Sequence, residues 1–198
     1  KNRQTVVIGT NQNPYSECDV NALIKEGGHL ARRRTGGGAV YHDLGNLNFS
    51  FVADKEIYDV KRQMMVIQKA LLNYGLETEV SGRNDITYQG RKFSGNAFAK
   101  TKYQGLHHGT ILIKTDGEKL QRYLKVKPAK LHKHGVKSVA SRVINLSEVA
   151  DITSENIIPH LIKAFEEVYQ GKAKTIDFNE LCSDEVVMQS QHISSDEY

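Results

Sequence analysis

Two cysteines, Cys18 and Cys182, are all that the 198 residues contain. They stand far apart and in no cluster, which excludes a disulfide framework and a thiolate metal site and fits a reducing compartment. That compartment is the cytoplasm, or the mitochondrial matrix if the source is eukaryotic. No apolar run reaches the roughly 20 residues of a membrane span, and no signal peptide opens the chain. No glycine-rich loop ends in Gly-Lys-Ser/Thr, and no G-x-G-x-x-G opens a helix after a strand, so the familiar nucleotide-binding templates are excluded. The G-x-S-x-G elbow of serine hydrolases is missing as well. Charge of one sign is in short supply: 27 basic against 23 acidic side chains leave a formal +4. Aromatics do not interleave with the basic residues and no reader motif is recognisable, which argues against nucleic acid as a partner.

What is present is an ordinary globular balance, 39% hydrophobic and 25% charged, in a chain long enough for one substantial core. "TVVIG" at 5–9 predicts a buried strand, and "DVNALIKEGG" a short helix after it. "AVYHD" and "LNFSFVA" predict further strands broken at Gly45-Asn46. Residues 59–74 space Val60, Met64, Ile67 and Leu71 at helical intervals and close on Gly75, with both methionines as core filler. Residues 76–114 predict an antiparallel meander with turns at Gln89-Gly90 and Gln104-Gly105. "GEKLQRYL" and "ENIIPHLIKAFEEVYQG" predict helices, the second with Ile158, Leu161, Ile162, Phe165 and Tyr169 on its apolar face and Pro159 in its first turn or at a kink. The last twenty or so residues are weakly patterned. The expected architecture is α+β, mixed or mostly antiparallel sheets flanked by helices, in one principal domain.

Chemistry concentrates in two segments. In "ARRRTGGGAVYHD" (31–43), Gly36, Gly37 and Gly38 imply positive φ or close backbone approach, and with Arg32, Arg33 and Arg34 their N–H groups suit an anion. A tight strand-to-strand turn with solvated arginines explains the same residues. In "SGRNDI" and "GRKFSGNAF" (81–86 and 90–98), a hairpin brings two polar segments onto neighbouring strands. Lys92 there is either an edge-strand charge or a half-buried ammonium aimed at a phosphate or carboxylate, where it stabilises negative charge during acyl transfer. "GLHHGTILI" puts His107 and His108 on opposite strand faces, one entering a pocket and one meeting solvent; such a pair makes a poor metal site, and hydrogen bonding is the expected role. The basic run at 124–137 is read as a solvated face.

Taken in order, "TVVIGTNQNPYSEC", "ARRRTGGGAVYHDLGNLNFSF", "SGRNDI", "GRKFSGNAF", "HHGTILI" and "HGVKSVASRVINL" resemble the lipoate-protein ligase family over nearly all of residues 5–147. The resemblance implies a catalytic domain of the fold shared with biotin-protein ligases, which converts lipoic acid and MgATP to lipoyl-AMP and passes the lipoyl group to a lysine. The acceptors it implies are the lipoyl domains of 2-oxoacid dehydrogenase E2 subunits and the glycine-cleavage H protein. It assigns Arg33, Gly38, Ala39, Val40, Tyr41, Asn84, Asp85 and Lys92 to ATP or the adenylate. Lys92, Gly36, Gly37 and His108 go to the lipoyl group, with Lys92 catalytic and Asp85 near any Mg²⁺. Residues 1–198 then correspond to the large catalytic domain, with an incomplete amino terminus and without the small accessory domain of many members; a partner protein can supply that domain. The alternatives are a transferase-only domain that needs such a partner for adenylation, and an octanoyl or lipoyl amidotransferase, for which Cys18 is the one cysteine in the matched region.

Overall fold

The computed structural model describes residues 1–82, 84–125, 142–177, 180 and 184–193. Two sheets organise it. Strand β1 (Thr5–Ile8) pairs in parallel with β2 (His29–Arg32) and antiparallel with β3 (Val40–His42), giving a small mixed sheet. Helices α1 (Pro14–Glu17) and α2 (Val20–Lys25) fill the β1–β2 connection. Asn13 and Asp19 start them by accepting hydrogen bonds from main-chain N–H groups of the first turn. Val6, Ile8, Cys18, Leu23, Tyr41, Leu120 and Tyr123 form the core of this half.

The larger sheet is five-stranded and antiparallel, in the order β4 (Asn46–Asp54), β8 (Gln104–Leu112), β7 (Arg91–Lys100), β6 (Asp85–Tyr88) and β5 (Glu79–Ser81). Gln89 and Gly90 both take positive φ, as a two-residue hairpin between β6 and β7 requires. At the other end the turn falls on Thr101–Tyr103. The Thr101 hydroxyl accepts from the N–H groups of Tyr103 and Gln104, so Gln104-Gly105 lies inside β8 and not in the turn.

Helix α3 (Val60–Leu72) and α5 (Ile157–Tyr169) pack against one another on one face of this sheet, and α4 (Gly117–Tyr123) on the smaller half. Asp59 caps α3. Met64 is core, but Met65 is 46% exposed. α5 also sits rotated from the sequence expectation. Ile157 and Ala164 are buried with Leu161 and Val168 packed beside core residues, whereas Ile158, Ile162 and Phe165 are 43%, 45% and 36% exposed. The helix is apolar on two stripes, and the one spaced 157, 161, 164, 168 meets the core. Pro159 takes an early-turn position. The weakly patterned tail contains a helix, α6 (Asp184–Ile193), that the sequence pattern did not announce. Cys182, and all of the basic run after Lys125, lie outside the described residues. No helix among the described residues is long and apolar enough to cross a membrane.

Candidate functional site

Residues paired across antiparallel strands share a sheet face, so the register separates the two faces of the large sheet. Phe51, His107 and Phe98 form one row facing α3 and α5. Ser50, His108 and Ala97 form the matching row on the other face, flanked along β8 by Leu106 and Thr110. Over that second face lies the glycine loop that joins β2 to β3.

The loop is anchored from below. Gly37 has φ +103°, and a Cβ on Gly9 would sit 2.1 Å from its carbonyl oxygen, so close backbone contact requires glycine at position 9. Arg33 donates to the carbonyls of Val7 (3.1 Å), Gly36 (2.9 Å) and Gly38 (2.8 Å) and to the Thr35 hydroxyl (3.2 Å). Arg32 likewise donates to Gly9, Thr10 and Gln12 carbonyls. These two guanidinium forks brace main chain within and beside the loop whose N–H groups are the expected anion site. Burial lowers the Arg33 pKa from its ordinary value. The glycines themselves are exposed, leaving the loop backbone open to a ligand.

Thr35, 2% exposed, ties the loop to the sheet: its hydroxyl lies 2.5 Å from His108 Nε2. Burial and nearby Arg33 lower the His108 pKa, which keeps the ring neutral and suits Nε2 to accept from the hydroxyl. His42, the last residue of β3, is buried with a pKa pushed down to about 4 by burial and then by Arg33. Its Nδ1 meets the amide nitrogens of Asn2 at 2.9 Å and Asn48 at 3.5 Å, joining the two sheets.

Lys92 lies along this same face. Its Nζ forms an ion pair with Asp85 at 2.7 Å, both side chains being 35% exposed. A Cβ on Gly95 would meet Lys92 Nζ at 2.8 Å and Thr110 Oγ1 at 3.9 Å, so the lysine crosses over Gly95 beside Thr110. A register shift between Ile86 and Thr87 turns the strand at this point. From the outer side, residues 142–146 of the "HGVKSVASRVINL" segment support it: Ile144 N–H donates to Lys92 O, and Arg91 donates to Val143 O at 2.8 Å. Asn84 adjoins Asp85, with its Nδ2 committed to Asn96 O at 2.8 Å. That leaves Asn84 its amide oxygen and a second N–H to present to a ligand.

The fold therefore brings Lys92, Asp85, Asn84 and His108 onto or beside one sheet face, with Gly36, Gly37, Gly38 and Arg33 in the loop above. Ala39 is half-buried, and Val40 and Tyr41 enter β3, where Tyr41 packs inward against Tyr123 and burial raises its phenol pKa. Neither histidine simply meets solvent: His107 is fully buried and His108 half-buried, because the glycine loop covers the face that would otherwise be open. Thr35, Gly9, Gly95 and Thr110 escaped the sequence reading. Only the position of Thr35 within "RRRTGGG" hinted at its role.

Among the described residues no group of three or more His, Cys, Asp or Glu is arranged to hold a metal. Cys18 is fully buried, its Sγ 3.3 Å from Pro14 O, and burial raises the thiol pKa; that environment opposes a thiolate nucleophile. A surface depression of about 550 Å³ lined by residues 56–62 and Lys100 lies beside the start of α3, and none of the expected site residues lines it.

A family model described as the lipoyl protein ligase A/B catalytic domain matches residues 1–166. Lipoate-protein ligase A of Bdellovibrio bacteriovorus is 46% identical over 179 residues, covering 88% of this chain and 53% of that protein. The chain spans about half the length of the curated relatives it matches. Among solved structures, the bi-partite lipoate protein ligase of Thermoplasma acidophilum, described together with its E2 lipoyl domain, superposes with a TM-score of 0.82 at 30% identity. It covers 98% of this chain and 79% of its own. A lipoate-protein ligase A bound with ATP gives a TM-score of 0.82 at 29% identity, covering 99% and 81%.

Proposed function

Because the chain belongs to the lipoyl protein ligase A/B catalytic-domain family, we propose that it joins lipoic acid to protein lysines in two steps that share the Lys92 site. In the first, the lipoate carboxylate attacks the α-phosphorus of ATP. The bond to the bridging oxygen breaks, and pyrophosphate leaves with its electron pair. In the second, an acceptor lysine amine attacks the carbonyl of lipoyl-AMP. An amide forms, AMP departs and the amine loses a proton. No enzyme nucleophile is needed, which agrees with the buried, protonated state favoured for Cys18.

The observation that carries this reading is the placement of one ammonium, Lys92, on the same sheet face as His108, to which the exposed glycine loop is tied through Thr35. Bringing a carboxylate to a phosphate joins two anions, and a fixed cation with backbone N–H groups lowers that repulsion. Lys92 then serves twice, since charge grows first on phosphate and afterwards on the carbonyl oxygen. Asp85 holds the lysine in place until a ligand arrives. Gly38, Ala39, Val40 and Tyr41 are assigned to ATP or the adenylate, and Gly36, Gly37 and His108 to the lipoyl group; Ala97, Ala99, Leu106 and Val52 on the same sheet face offer apolar surface for its chain. Asp85 is the carboxylate that would hold a Mg²⁺ ion arriving with ATP, and the ion would supply neutralisation of phosphate charge. The acceptors are lipoyl domains of E2 subunits and the H protein.

The test combines the protein with an apo lipoyl domain, lipoic acid and MgATP, and in parallel with preformed lipoyl-AMP, reading acceptor mass. Modification in both mixtures supports the whole reading. Modification with lipoyl-AMP alone assigns adenylation to a partner or a further segment, and an unmodified acceptor in both removes the proposal.

A further inference from the structure

Four polar side chains sit where packing alone calls for apolar ones. Gln63, Ser94 and His107 are fully buried and Asn96 is 4% exposed, on the sheet face that α3 covers. Phe49, Phe51 and Phe98 surround His107, with ring centroids 5.4, 5.6 and 4.8 Å away. Interior polar groups are unfavourable unless each finds a partner.

Here the partners form a directed chain. His107 Nδ1 lies 3.0 Å from Gln63 Oε1 on α3, and Nε2 lies 2.8 Å from Asn96 Oδ1. Asn96 commits its Nδ2 to Ser94 Oγ (3.3 Å) and Asn84 O (3.0 Å). Its oxygen is thus the atom that faces His107; with the ring proton on Nε2, Nδ1 accepts a hydrogen bond when the Gln63 amide turns its Nε2 to it. The neutral ring this requires agrees with a pKa pushed down to about 4, chiefly by burial. Asn96 N–H also donates to Asn84 O at 2.8 Å, and Asn84 Nδ2 returns a bond to Asn96 O at 2.8 Å. Gly109, directly across from Asn96, keeps the space free: a Cβ there would stand 2.5 Å from Asn96 Oδ1 and 2.6 Å from the Phe49 ring. The chain begins on α3 in the core and ends on Asn84, the neighbour of Asp85, whose carboxylate holds Lys92.

We propose that Gln63, His107 and Asn96 are positioning residues, which fix the Asn84–Asp85 turn and through it the Lys92 ammonium. This deepens the ligase reading above and rests on it for the reaction, but not for the placement of the turn. If the polar chain served packing alone, an apolar ring at position 107 would be harmless, since it would join an existing aromatic cluster.

The experiment measures three quantities on the full chain: melting temperature, pyrophosphate release from lipoic acid and MgATP, and hydrogen exchange of the Asn84 side-chain amide without ligand. In His107→Phe, the melting temperature stays within a few degrees. The kcat falls by about ten- to hundredfold, the usual loss when the partner behind a functional group is removed, and KM for lipoic acid changes by less than about threefold. Amide exchange at Asn84 accelerates. In His107→Gln, whose amide can bridge Gln63 and Asn96, most of the rate and the slow exchange return. Wild-type kcat and exchange in His107→Phe would overturn the proposal, as would losses that track the unfolded fraction in both variants. Should His107→Phe not fold, Asn96→Ala takes its place against His107→Gln with the same two outcomes. A wild-type protein that releases no pyrophosphate would assign adenylation to a partner or a further segment and move the rate comparison to transfer from preformed lipoyl-AMP, while the exchange comparison would still decide the positioning role.

Discussion

The two faces of the five-stranded sheet are made by the same strands and do opposite work. On the face toward α3 and α5, Ile111, Phe93 and Ile86 are fully buried, and even the polar residues are linked to one another. On the face toward the glycine loop the side chains are small or polar, Ser50, Ala97, His108 and Thr110, and Val52 is 66% exposed. The period of two in a strand lets neighbouring residues such as His107 and His108 belong to different tasks. The packed core and the proposed ligand site are thereby separated by one residue step, and substitutions that do not reach across the sheet should separate them too.

The largest contrast is in stability. Ile111→Ala removes fully buried atoms from the packed face and should lower unfolding free energy by about 2–5 kcal/mol. Val52→Ala, on the open face, should stay within about 0.5 kcal/mol. Urea unfolding of both checks this, and a Val52→Ala loss as large as that of Ile111→Ala would show that the open face is also a packed one.

Next comes activity without stability. Lys92→Ala should reduce both adenylation and transfer by about 10²–10³-fold, the range for loss of one group that stabilises developing charge, at an almost unchanged melting temperature because the ion pair with Asp85 is half-exposed. Parallel assays with ATP and with preformed lipoyl-AMP separate the steps. A loss confined to one of them would restrict Lys92 to that step.

How much of this the sequence disclosed follows the same division. Period-two and period-3.6 patterns gave the strands, α3 and the α+β class, because burial dictates them locally. They gave α5 as a helix but not all of its buried face, since it has two apolar stripes of which only packing selects one, and they missed α6, whose residues carry weak periodicity. The glycine loop and Lys92 stood out because glycine runs and strand lysines are unusual. The buried pairing of His107 with Asn96 did not, since it joins strands whose register no local pattern states, and the turn of Arg33 toward its own loop depends on how β1 approaches it.

A smaller effect distinguishes the faces by pH. His107 has its pKa pushed down to about 4, against roughly 6.5 in the unfolded chain. Above pH 6.5 the ring is neutral in both states. Between 6.5 and 4 the unfolded chain binds a proton that the folded state refuses, so stability falls as pH falls, by on the order of 3 kcal/mol for this residue. Below about 4 the folded ring is protonated too and the decline levels off. His42, also at about 4, adds a similar slope. Urea midpoints at several pH values between 7 and 4 should show His107→Phe losing part of the wild-type slope. An unchanged slope would mean that His107 already carries a proton in the fold.

The smallest expected effect tests what joins the glycine loop to the open face. Thr35→Val keeps shape but removes the hydroxyl that lies between Arg33 Nε and His108 Nε2. Both partners are half-buried, so water can replace part of what is lost, and the stability change should be about 1 kcal/mol. The loop keeps its bonds from Arg33 to the Gly36 and Gly38 carbonyls, which hold its path while its distance from the sheet relaxes. The consequence should therefore appear in binding: apparent KM for lipoic acid rises by about fivefold, the equivalent of about 1 kcal/mol, with kcat nearly constant because Lys92 is untouched. A fall in kcat at constant KM would instead place Thr35 and His108 in the chemical step, and would move the boundary between the two tasks from the sheet face to the loop.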